Sequence, residues 1–184
     1  MFDTADGNAM QEMAKNGAEP NAFTSNAMTA YYFDCTEHFD ENLRQLLSFV
    51  SVPYFTDESV AKEQGIIAQE IGMIEDDPDW VVFMDLMQAL YEKHPVRVSV
   101  AGSAESISHI TAETLYACHK AFYDPSNMVL CVAGDVDPEK ICQAAREILP
   151  ERPGAPVARG DYGAQEPAAV SYTHLRAHET LMNL

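Results

Sequence analysis

The chain has 184 residues, enough for one domain with a substantial core rather than two. Lys plus Arg number 11 against 29 for Asp plus Glu, a net charge of −18, which argues against nucleic-acid or anionic-membrane partners, since either needs basic clusters to neutralise phosphates. Apolar residues make up 47%, too many for global disorder, and no apolar run approaches the ~18 residues of a membrane span.

Met1-Phe2-Asp3-Thr4-Ala5-Asp6 lacks the basic and apolar layout of a signal peptide. Cys35, Cys118, Cys131 and Cys142 lie far apart without a Cys-x-x-Cys pair. That usage is expected of a reduced, cytoplasmic, soluble domain.

In chain order, Asn8 to Asn16 has a short helical pattern stopped by Gly17. Asn21 to Ser25 and Thr29 to Phe33 are rich in Thr and aromatics, with a polar break at Asn26, and read as a hairpin or two adjacent strands. Glu37 to Val50 is amphipathic, with Phe39, Leu43, Leu46, Leu47 and Val50 at helical spacing, and Pro53 ends it. A long helix is expected from about Asp57 to Glu75. Asp77-Pro78 then caps and opens another, which ends before Pro95.

His94, at that helix end, reads as structural, where a cationic side chain favours the dipole. Thr111 caps a helix to about Tyr123, and Asp124 to Asn127 is a turn. Met128 to Ala133 is a continuous apolar run of strand length, expected to be buried on both faces. Asp137-Pro138 opens the last helix, ending near Pro150. His38, His109 and His119 have no ligand-spaced partner and read as surface or cap residues. The fold class is α+β.

The expected division is a domain over 1–150, a linker over 151–169 rich in Pro and Gly, and a tail over 170–184. The tail departs from the acidic character of the rest and reads as non-native sequence. Its His174 and His178, with Glu179 adjacent, are four apart but carry no Glu just before the second His.

The segment Ser59 to Ile74 is the most informative. Wound at about 100° per residue, it gathers Val60, Ile66, Ile67, Ile71, Met73 and Ile74 on one face. Glu63 and Glu70, seven apart, project into the middle of that face, while Glu58, Lys62, Gln64, Gln69 and Glu75 take the other side. A buried carboxylate is costly unless paired or metal-bound. The periodicity alone leaves three readings open: core salt bridges, a less buried stripe, or a polar site set in an apolar contact.

The ordered set Asn21-Ala-Phe-Thr-Ser25, Thr29-Ala-Tyr-Tyr32, Pro53-Tyr-Phe-Thr56, Glu63-Gln-Gly-Ile-Ile-Ala-Gln-Glu70, His94-Pro95, Gly102-Ser-Ala-Glu-Ser-Ile107, Phe122-Tyr-Asp-Pro-Ser-Asn127 and Ala133-Gly-Asp-Val-Asp137 resembles the insulinase-type zinc metallopeptidases, their bacterial branch most of all. The resemblance runs from about Met1 to Pro150. It implies helices packed on a mainly antiparallel sheet, and a Zn²⁺ site built from an inverted His-x-x-Glu-His helix plus a later glutamate. By resemblance Glu70 is that metal ligand, and Glu63 is the acidic residue that supports the site.

In such enzymes the metal lowers the pKa of bound water and the motif glutamate takes its proton. Asn21, Ala22, Phe23 and Thr24 correspond to the substrate-binding edge strand, where a peptide adds as another strand, with Phe23 lining a side-chain pocket. This sequence contains no His-x-x-Glu-His. The family places that motif just upstream of the segment resembling Met1 to Thr4, so the chain reads as the truncated product of a longer gene.

The implied function is therefore part of a zinc metalloendopeptidase acting on peptides or unfolded segments. A C-terminal homologous half or partner subunit is expected, and the chain as given is expected to be inactive. The alternative is a non-catalytic structural or peptide-binding subunit of an insulinase-type complex.

Overall fold

The computed structural model describes residues 3–5 and 7–151; the expected linker after Glu151 and the tail over 170–184 lie outside the described residues. Its elements run β1 (Asp3–Thr4), β2 (Gly7–Asn8), α1 (Ala9–Lys15), β3 (Glu19–Thr24), β4 (Thr29–Asp34), α2 (Phe39–Ser51), α3 (Asp57–Glu75), α4 (Pro78–Leu90), α5 (Ala104–Ser108), α6 (Ala112–Phe122) and α7 (Pro138–Ile148). Short 3₁₀ turns occupy Pro95–Arg97 and Pro125–Asn127. The class is α+β, with antiparallel pairing within each of two small hairpins.

Local chemistry places most boundaries. The Thr56 side chain accepts the Ser59 N–H while the Ser59 hydroxyl accepts the Thr56 N–H, both at 3.1 Å, a capping box opening α3. Asp77 and Asp137 cap α4 and α7, each with Pro at the first helical position. Gly17 adopts φ +73, which lets the chain leave α1 where a Cβ would be strained.

The core centres on α2. One edge joins α1 and the β3–β4 hairpin through Ala9, Met13 and Ala18, with Phe33, Leu46 and Phe49 packed around them. The other edge joins α7 through Leu43, Leu47 and Ala144, with Ile141 and Ile148 alongside. Phe33 touches both clusters, so the hairpin's base is wedged between them. Arg44 and Glu147 bridge α2 to α7 at 2.9 Å on the surface.

Three expectations are corrected. Met128 to Ala133 forms no strand: the run has no ladder partner among the described residues, and Val129 is 93% exposed. Strand-forming residues need a neighbouring strand to satisfy their backbone groups, and both described hairpins pair only within themselves. His94 opens a 3₁₀ turn rather than closing a helix, its Nδ1 accepting the Val96 N–H at 3.1 Å. His119 is buried rather than superficial, with Nε2 2.9 Å from the Val50 carbonyl oxygen.

α4 is the expected helix, yet it buries none of its residues, and Val82, Phe83, Leu86 and Leu90 stand exposed. Among the described residues no helix is long and apolar enough to cross a membrane.

Candidate functional site

α3 packs against α5 and α4. Val60 and Ile71 are buried, Ile67 and Ile74 half-buried, and the Gln64 amide donates to the Ile107 and Ile110 carbonyls at 2.8 and 2.9 Å. These residues recur at steps of three and four and form the packed stripe. Gln64, expected on the solvent side, lies on it, its amide satisfying the Ile107 carbonyl in α5 and the Ile110 carbonyl just past it.

Glu63, Ile66, Glu70 and Met73 form a second stripe about 100° further round the helix. Glu63 is half-buried and Glu70 is exposed, as are Ile66 at 50% and Met73 at 76%. The apolar face read from the sequence is thus split in two. Its inner half meets α5 and α4. The outer half, which carries both carboxylates, faces outward, so Glu70 is not the buried group that the periodicity allowed.

Seven residues separate the two carboxylates, a rise of about 10.5 Å along the axis. Helical Cα–Cβ bonds all tilt toward the N-terminus, so the two side chains leave the helix at points that far apart. Among the described residues no group of three or more His, Cys, Asp or Glu is gathered as a metal would require. The described donors therefore do not make a zinc site by themselves, and Glu70 presents one exposed carboxylate on the outer face of α3.

The second sequence-derived site lies on the β3–β4 hairpin. Ala22 pairs with Tyr31, Phe23 with Ala30 and Thr24 with Thr29. Asn21, Phe23 and Thr24 are exposed, and the Asn21 side-chain oxygen accepts the Ala22 N–H at 2.8 Å. The outer edge of β3 pairs with no further strand among the described residues, leaving alternate backbone groups open to an added strand. Phe23 and Tyr32 meet edge to face across the hairpin's outward side, with centroids 6.4 Å apart. The hairpin packs on α1 and α2, whereas the carboxylate stripe stands on a helix packed on α4 and α5.

Sequence reasoning missed the cluster behind the hairpin. The Tyr31 and Tyr123 hydroxyls lie 2.6 Å apart, and the Tyr123 ring stacks on His119 at 4.5 Å. Burial, then the hydrogen bond shared with Tyr123, raises the Tyr31 phenol well above its ordinary value. A partner 92 residues away leaves no local signal; the only clue was that a tyrosine on the packed side of a strand needs a place for its hydroxyl. His174 and His178 lie outside the described residues.

A family model described as Insulinase (Peptidase family M16) matches residues 3–104, and one described as Peptidase M16 inactive domain matches residues 109–180. The sequence is 48% identical over 153 residues to an uncharacterized zinc protease, YmfH, of Bacillus subtilis, covering 83% of this chain and 36% of that protein. The crystal structure of an M16-like peptidase from Alicyclobacillus acidocaldarius matches with a TM-score of 0.75 at 43% identity, covering 79% of this chain and 34% of that one. A peptidase M16 inactive domain from Pseudomonas fluorescens, 22% identical, shares the fold with a TM-score of 0.74 over 91% of this chain and 41% of its own. The chain thus spans well under half the length of each of these proteins.

Proposed function

The chain belongs to the insulinase family of peptidases, Peptidase family M16, whose match covers more than half of it, and from that premise we propose that it is part of a zinc-dependent metalloendopeptidase hydrolysing peptide bonds in peptides or unfolded segments. The observation that carries this reading is the outward stripe of α3, where Glu63 and Glu70 stand beside exposed Ile66 and Met73. An apolar stripe with two carboxylates in it suits contact with another element that brings further metal ligands. The similarity to a zinc protease of Bacillus subtilis supports the same reading.

In this reading Glu70 supplies one ligand to Zn²⁺, and Glu63, one heptad earlier, orients the site. Asn21, Ala22, Phe23 and Thr24 receive the substrate as an added strand, so affinity comes from backbone hydrogen bonds and Phe23 contributes a side-chain preference. The chain alone lacks both histidines of the inverted motif and is inactive. A homologous C-terminal half or a partner subunit completes the enzyme, and the sparse, unpaired cysteine spacing supports a cytoplasmic setting.

The peptidase domain is assigned to 1–150, the linker to 151–169 and a non-native tail to 170–184. Because the second family match runs to residue 180, resequencing the source DNA at both ends of the frame tests that division. A different continuation after about Val170, with His-x-x-Glu-His in frame ahead of Met1, is the expected result. An unchanged continuation removes the non-native assignment.

The functional test is metal analysis of the whole protein. One zinc per molecule is expected, lost in Glu70→Gln and held about 10- to 100-fold more weakly in Glu63→Gln. Zinc retained by Glu70→Gln removes the ligand role. A whole protein without zinc is instead the non-catalytic, peptide-binding subunit.

A further inference from the structure

A two-stranded hairpin is marginal by itself, so whatever packs behind β3 and β4 sets where their outer edge stands. The base of the hairpin is fixed by Phe33, wedged between the two core clusters. The stretch Asn21 to Thr24 pairs with Tyr32 through Thr29, and so lies from the middle of the hairpin to its tip. On the inward face of that half, Tyr31 is directly opposite Ala22. Its ring meets Phe49 edge to face at 5.5 Å, and its hydroxyl meets that of Tyr123 at 2.6 Å.

Tyr123 is itself held. Its N–H donates to the His119 carbonyl at 2.9 Å, its ring stacks on the His119 imidazole, and Nε2 of that imidazole reaches the Val50 carbonyl at the end of α2. The turn that follows is braced by Asn127, whose side chain donates to the Phe122 carbonyl at 2.9 Å. A relay of contacts therefore runs from Ala22 through Tyr31, Tyr123 and His119 to α2.

We propose that Tyr31 and Tyr123 are positioning residues for peptide binding: their hydroxyl pair fixes the half of the hairpin whose outer edge receives the substrate strand. The proposal rests on the peptidase reading given above. An added strand demands register along several backbone groups at once, so a hairpin free to rock about Phe33 loses binding energy at each of them. The bond-breaking chemistry lies elsewhere and is untouched. The pair therefore acts on KM and not on kcat.

The test uses the whole enzyme with three variants, Tyr31→Phe, Tyr123→Phe and the double substitution. Each single variant leaves one part-buried hydroxyl without the other, whereas the double removes both and so recovers stability. KM for a peptide substrate is expected to rise about 5- to 10-fold in all three, with kcat and zinc content unchanged. Hydrogen exchange over residues 19–34 is expected to quicken about 10-fold while α2 keeps its protection.

The double variant is decisive. If KM recovers together with melting temperature, the pair is merely structural and the proposal falls. Unchanged exchange in the hairpin overturns it as well, whatever the kinetics. A wild-type enzyme that neither cleaves nor binds peptide sinks the peptidase reading, and the substrate role with it. An active wild type whose variants keep their KM overturns only the positioning role.

Discussion

The imidazole of His119 and the carbonyl of Val50 are joined at 2.9 Å inside the protein, 69 residues apart in the chain. A carbonyl only accepts, so Nε2 carries the proton, and this bond satisfies one of the carbonyls left open where α2 ends. His119→Phe keeps the ring's volume and its stacking on Tyr123 but orphans that carbonyl. The expected cost is about 1–3 kcal/mol, read as a lower urea midpoint at unchanged slope. A midpoint equal to wild type would show that water reaches Val50 and that the bond is dispensable.

Tyr31 gives a pH dependence in the alkaline range. Burial and Tyr123 raise its folded pKa above the ordinary 10.0, so the unfolded chain ionises first as pH rises. The contribution is complete below about pH 10 and is lost progressively above it. Melting temperatures from about pH 8 to about pH 11 should fall more steeply for wild type than for Tyr31→Phe. Parallel curves would contradict the buried geometry of this phenol.

Asn42 on α2 is fully buried, and its Oδ1 has no hydrogen-bond partner among the described residues, while its Nδ2 reaches the Asn16 carbonyl at a long 3.5 Å. An apolar side chain of similar size loses little there. Asn42→Leu is expected to lie within about 1 kcal/mol of wild type or to be stabilising. A loss of more than about 2 kcal/mol in chemical denaturation would mean that this amide is better satisfied than its geometry indicates.

The isolated chain is expected to be weakly stable and to self-associate. α4 buries none of its residues, Val129 in the apolar run after the second 3₁₀ turn is 93% exposed, and Met73 on α3 is 76% exposed. Such surface seeks cover, and the net charge of −18 opposes association only until salt screens it. Light scattering should therefore show mass rising with both protein and salt concentration. A monomer with a sharp, cooperative melt would refute this.

Much of the fold was legible because it is encoded locally. Thr56, Asp77-Pro78, Thr111 and Asp137-Pro138 each start a helix with their own side chains, and a cap acts within one turn of itself. The hairpin was legible for the same reason, its two aromatic runs being separated by four residues that turn the chain. The ordered motifs that carry the family resemblance, Glu63 and Glu70 among them, are likewise a property of the chain read in one dimension.

What the sequence by itself determined, then, is the β3–β4 hairpin and every described helix but the short α5, together with the residue types that mark the family. Only the tertiary structure decided which sector of α3 is packed. Periodicity fixes angles around a helix axis, but the placement of α4 and α5 selects Val60, Gln64 and Ile71 as the inner stripe and leaves Glu70 outside. It decided equally that Met128 to Ala133 pairs with no strand among the described residues, since a strand exists only beside another strand. It also joined Tyr31 to Tyr123 and His119 to Val50, because contacts between distant segments depend on how the elements pack and leave no periodic trace along the chain.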